Sequence, residues 1–182
     1  MSYASVIADL KALNRIEILG VDAAAHVDHM DAESDRSTLI LMAASTEGLL
    51  VGRLKEMMPG INAEERNRIF GFEGPCGSFS NRIRIAQALG IVDRSTKKKL
   101  EVIKEMRNAA AHSFAQLTFS TAEIVEGVAY LFPQQYREAS LAWPNEIRKA
   151  AFMGAASRVG QQIANVEADW EQLYKLLNLP PH

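Results

Sequence analysis

Apolar residues along this chain recur every three or four positions and almost never every second one, which confines the fold to packed helices. Alternating Val, Ile, Thr and Tyr runs are absent, whereas Ala, Leu, Glu, Lys and Met fill the periodic stretches. Leu39, Met42, Ala43, Thr46, Leu49 and Leu50 keep the helical period in a segment that Asp35 can cap and that Pro59-Gly60 ends after about Met58. Helices are also expected over about residues 3–19 and 22–30. Asn62 and Glu65 form a capping box for a short helix to Phe70, and Ser120 with Glu123 forms a second one for a helix to about Phe132. Between them, Ser78 or Ser80 opens a helix that ends at Gly90, and Ser95 or Thr96 opens another that ends near His112. Pro144, placed at a first helical position, starts a last helix to about Asn178. The expected architecture is all-α, a single-domain bundle of about six to eight helices over residues 1–182 with a long C-terminal helix.

The chain has 182 residues, enough to bury roughly two-thirds of the surface an unfolded chain exposes. Its single cysteine, Cys76, excludes an intramolecular disulfide and a Cys-rich zinc ribbon. The longest purely apolar run, Leu39 to Ala44, is far short of a membrane span, and no leader peptide is readable at the N-terminus. A soluble, cytoplasmic protein is expected. A net charge of −2 disfavours a globally basic nucleic-acid binder while leaving room for a local basic patch.

On a helical wheel of residues 97–113, Val102, Met106, Ala109, Ala110 and Ser113 form one face of small and apolar groups that should meet the core. Glu101, Glu105, Asn108 and His112 line one flank. Arg107 lies on the other, about 140° from His112. The outward surface between them holds Lys104, Asn108 and Ala111. A second helix can approach closely over Ala111, and two such helices in a symmetric dimer would pool two Arg and two His in one cleft.

Arg107-Asn108-x-x-x-His112 at a helix end resembles the motif of the HEPN superfamily of small helical proteins. More of the chain resembles one branch, the mannitol operon repressor-like family. The carrying segments are Gly74-Pro-Cys-Gly-Ser-Phe-Ser80, Ile83-Arg-Ile-Ala-Gln-Ala-Leu-Gly-Ile91, and Ile103-Lys-Glu-Met-Arg-Asn108 through Ala111-His112, with Phe119 a few residues on. The similarity covers about residues 35–132, and the part after Trp143 is longer than the family leads one to expect. The repressor-like branch implies a helical body linked to transcriptional repression without an ordinary DNA-binding module. Its partners would then be other proteins, such as a DNA-binding regulator. HEPN membership implies a metal-independent endoribonuclease or RNA-binding protein working as a homodimer. In that case His112 would act as general acid or base, Arg107 would stabilise phosphate charge, and Asn108 would orient the imidazole.

Each of these residues also has an ordinary structural role. His112 can serve as a cation at a helix C-terminus, and Asn108 can be solvated. Residues 82–100 read superficially as a helix-turn-helix, with Gly90 at the turn and Arg94, Lys97, Lys98 and Lys99 facing phosphates, together with Lys104 further along. Against DNA readout, the second helix runs on far past a recognition helix and the chain is net acidic. His26, Asp28, His29 and Asp31 fall within six residues, yet without a third clear ligand they read as a solvated acidic helix end. No metal or cofactor is expected.

Three further features need a structural answer. Glu47 lies near the apolar face of its helix, where a bare carboxylate is costly; it either pairs with an Arg, Arg107 being one candidate, or turns to solvent. The segment from Gly71 to Phe79 is a loop whose aromatics are expected in the core and whose Cys76 is expected to be a small packed residue. In the last helix the early small residues should pack on the core, with a bend near Gly154 or Gly160. Its Trp170 end is expected on the same core, or alternatively on a second protomer.

Overall fold

A computed structural model describes residues 2–13, 29–113 and 116–164. Among these residues the chain forms eight helices and no strand: α1 (Tyr3–Leu13), α2 (His29–Glu56), α3 (Ala63–Phe70), α4 (Phe79–Ala88), α5 (Arg94–His112), α6 (Ala122–Leu131), α7 (Gln134–Ser140) and α8 (Asn145–Ile163). The protein is an all-α helical bundle. No helix among the described residues is long and apolar enough to cross a membrane.

Helix α5 is the axis of the bundle and packs against α1, α2, α4, α6 and α8. It fills that position because Leu100, Val102, Ile103, Met106, Ala109 and Ala110 bury completely along its length. Its C-terminal small residues let neighbouring backbones come close. Around it, Leu39, Leu50 and Leu54 of α2, Ile83 of α4, Phe119, Phe132 and Phe152 complete one continuous core. Each such side chain contributes roughly 1.5–3 kcal/mol relative to exposure. Helix α8 lies along α2 and runs parallel to it, since Lys149 reaches Asp35 at one end and Gly160 receives Leu49 at the other. The small half of α8 packs on the core through Ala151, Ala155, Ala156 and Gly160. The expected Trp170 end falls outside the described residues, as do residues 22–28 of the helix expected over 22–30.

Several local signals mean what the sequence suggests. Asn62 and Glu65 cap α3 reciprocally, at 2.9 Å and 3.0 Å. Ser78 caps α4 by accepting from the Asn81 amide, and Gly90 closes that helix with a φ of 71°.

Others do not. Asp35 caps nothing: α2 already starts at His29, and Asp35 is a buried acceptor inside it. Asp93, not Ser95 or Thr96, caps α5 through the Thr96 amide at 2.6 Å. The second capping box is absent: Thr121 occupies the cap position, but its hydroxyl accepts from the Thr118 amide and makes no capping bond to the helix, while the Ser120 hydroxyl pairs with Asn145 at 3.0 Å. Pro144 sits one residue before the first turn of α8, and the short helix α7 has no counterpart in the sequence reading. Of the loop's aromatics, Phe79 is buried, but Phe72 is 95% exposed, contrary to expectation.

Candidate functional site

Two arginines, one from α4 and one from α5, converge on one carboxylate of α2. Glu47 points from α2 into the crevice between α4 and α5, where its side chain is only 14% exposed. One oxygen accepts a hydrogen bond from Arg82 Nη1 on α4, and the other accepts from Arg107 Nη2 on α5 at 3.3 Å. A carboxylate on an apolar helix face thus takes two cations instead of turning to water, which offsets the cost of its burial. Arg107 is the candidate partner anticipated from the sequence. Arg82 is not, because its helix-turn-helix setting pointed to DNA.

Arg82 also ties the crevice to the Gly71–Gly77 loop. Its Nε donates to the Cys76 carbonyl at 2.7 Å and its Nη2 to the Gly77 carbonyl at 3.2 Å. Cys76 is a small packed residue here; burial pushes its thiol up, against the Arg82 charge that pulls it down.

On the other side the network continues along α5. Arg107 Nη1 donates to Asn108 Oδ1 at 3.2 Å, and Asn108 Nδ2 donates to Glu105 at 3.5 Å. Glu105, expected on an outward flank, is buried instead and pairs with Lys104 at 2.8 Å. Lys104 then crosses to α4 and donates to Ser80 Oγ at 3.1 Å. This network holds three cations and two carboxylates, so it keeps a local excess of positive charge. The side chain with most access to solvent among Glu47, Arg82 and Arg107 is Arg107, at 33%.

His112 lies outside this network. Its side chain is exposed at the last position of α5, beside exposed Ala111. The carbonyls at that helix end are served by Arg36 of α2, whose Nη1 donates to Ala110 O at 2.9 Å and Ser113 O at 3.0 Å. A cation does complement the helix terminus, as the physics of the dipole requires, but it is supplied by a residue 74 positions away. Within one chain, then, Arg107 faces Glu47 while His112 faces solvent beyond it, and Asn108 bonds Arg107 and Glu105 rather than the imidazole.

The other candidate cations are scattered. Arg94 is exposed, while Lys98 is partly covered and lies over the Tyr3 ring at 5.4 Å. The Tyr3 hydroxyl donates to Glu101, and burial followed by that carboxylate raises its pKa. Lys97 is half-buried. Lys99 is buried; burial, with the Arg137 charge adding to it, pushes its amine down to about 8. Arg94, Lys97, Lys98, Lys99 and Lys104 therefore do not form one outward row.

No cluster of three or more potential metal-ligating His, Cys, Asp or Glu side chains occurs among the described residues. The side chains of 26–31 lie outside them. Comparison with protein-family models, with curated proteins and with solved structures finds no match to this chain.

Proposed function

We propose that this protein is a regulatory helical body, similar to the mannitol operon repressor-like family, that acts through protein partners and not by reading DNA itself. The observation that carries this reading is the position of α5. The helix that would have to enter a major groove is packed against five others, and one of its candidate phosphate-contacting lysines, Lys99, is buried. A recognition helix needs a free face with several side chains at base edges. An electrophoretic mobility shift with the purified protein and the DNA upstream of its own gene tests the proposal. No retardation by the protein alone is expected at salt near physiological strength. Tight, sequence-specific retardation by the protein alone would sink it.

A second reading is supported by a different observation: Arg107 is one-third exposed and His112 is exposed near the same end of α5. Two copies meeting over Ala111 would bring both pairs into one cleft, suited to metal-independent RNA cleavage. In that case RNA is cut in the presence of EDTA, and Arg107→Ala and His112→Ala each abolish the cut. Equal persistence of RNA with wild type and both variants removes this reading. Glu47 weighs against it, since a carboxylate already neutralises the guanidinium that would bind phosphate.

A further inference from the structure

The outward face of α2 carries no charge from Ser37 to Gly52. Ser37, Leu41, Ala44, Ser45, Gly48, Leu49 and Gly52 all lie exposed at successive helical spacings. Leu41 is 66% exposed. Beside the end of α8 this face deepens into an open groove of about 490 Å³, floored by Ser45, Gly48, Leu49 and Gly52 and closed by Ile163 and Ala164. Arg53 and Glu56 stand at its rim. Among the described residues nothing requires glycine here, because a Cβ added at Gly48 or at Gly52 meets nothing within 4 Å. Each glycine nevertheless costs an interior helical position roughly 1 kcal/mol relative to alanine. What the two glycines provide is room for a body approaching from outside.

The same chain displays an exposed aromatic that such a groove can receive. Phe72 stands 95% exposed on a loop that is held tightly. The Cys76 amide bonds Ile69 O at 2.8 Å, the Gly77 amide bonds Gly74 O at 2.8 Å, and Arg82 binds the carbonyls of Cys76 and Gly77. Gly74 lies so close to α3 that an added Cβ would come within 2.1 Å of Arg68 O. A rigid loop presents its aromatic without an ordering cost on binding. Glu73 follows Phe72, giving the knob a carboxylate, and the groove has at its rim Arg53, whose exposed pairing with Glu56 at 2.9 Å would be shared with or exchanged for Glu73.

We propose that two copies of this chain associate by exchange, the Phe72 ring of each seating in the Gly48/Gly52 groove of the other with Glu73 against Arg53. A two-fold pair of this kind is closed, since both knobs and both grooves are used. The proposal does not rest on the regulatory reading, nor on the Arg107/His112 cleft, which lies on other helix faces.

Sedimentation velocity over a concentration series tests it. The full chain is expected to be a dimer. Phe72→Ala removes the knob and Gly48→Leu fills the groove; each should weaken association on the order of tenfold or more. Neither should lower the thermal melting point of the monomer, as neither side chain touches the core. Glu73→Arg should also weaken the dimer, and adding Arg53→Glu to it should restore affinity, which a folding defect cannot mimic. A monomeric wild type, dimers unaffected by Phe72→Ala, or a charge swap no tighter than the single reversal each overturns the proposal. A monomeric wild type whose Gly48→Leu variant melts early assigns the groove to residues 165–182 of its own chain and overturns it equally.

Discussion

Helix α2 carries two carboxylates inward, Asp35 and Glu47, twelve residues or roughly 18 Å apart, and their surroundings differ in kind. Asp35 is 2% exposed. It accepts from the Phe119 backbone amide at 3.1 Å and from Asn145 at 3.3 Å, and pairs with Lys149 at 3.0 Å. Next to it, buried Arg148 donates to the carbonyls of Phe119, Leu141 and Trp143. This knot joins α2, the 116–121 segment and α8 mainly through backbone groups. Glu47, by contrast, is met only by side chains: Arg82, itself held by two backbone carbonyls, and Arg107, which is 33% exposed. A backbone partner can be in one place only, whereas the part-exposed Arg107 guanidinium can turn to another anion. The inner knot is therefore suited to fixing the fold, and the outer one to exchanging partners.

The sharpest way to break this contrast is to remove each carboxylate in turn. Asp35→Ala leaves a buried amide and a cation without their acceptor, so a loss of about 3–5 kcal/mol is expected in urea or thermal denaturation. Glu47→Ala should cost less, about 1–3 kcal/mol, most of it at Arg82, because Arg107 is a third exposed and water screens it. Its signature should instead be local. Amide hydrogen exchange in the Gly71–Gly77 loop should accelerate, since Arg82 loses the carboxylate that positions it against the Cys76 and Gly77 carbonyls. If Glu47→Ala proves as destabilising as Asp35→Ala, the outer network is part of the folding core and the contrast is void.

The two carboxylates also mark what could be read beforehand. Glu47 was legible because its constraint is local: a charge on the apolar face of a periodic helix must find a cation or turn to solvent, and Arg107 was one candidate cation. Asp35 was misread because a cap and a buried acceptor use the same side chain. What distinguishes them is an amide 84 positions along, which no local pattern announces. Ser120 and Glu123 failed likewise, the hydroxyl being taken by Asn145 from a distant segment. The helical class and the apolar face of α5 were legible because periodicity records burial directly. Phe72 was not, since an aromatic in a glycine-rich loop reads as core whether it faces in or out. Arg36 escaped notice because it acts on backbone carbonyls, and a carbonyl carries no sequence signal; Arg82, which binds two carbonyls as well as Glu47, was hidden further by its helix-turn-helix setting.

Lys99 tests the comparison from a third side, with the smallest expected effect. It is buried on α5 like Glu105, and burial pushes its amine down to about 8 from an ordinary 10.5, so its charge is only partly compensated. A lysine whose folded pKa is depressed binds fewer protons folded than unfolded between those two values, so stability rises with pH across that window. From about pH 7 to about pH 9 the rise should be on the order of 1 kcal/mol. Tyr3 acts in the opposite sense and later. Its raised pKa contributes stability that is whole below its ordinary value of 10.0 and lost above it. Cys76, raised from 9.0, likewise lowers stability as pH climbs past that value. Both groups remain in Lys99→Met, so they cancel when the stability of wild type minus that of the variant is plotted against pH. That difference curve should climb from about pH 8 and level off near the lysine's ordinary value. A flat difference would mean that Lys99 keeps its charge as readily folded as unfolded, and that α5 compensates all of its buried cations alike.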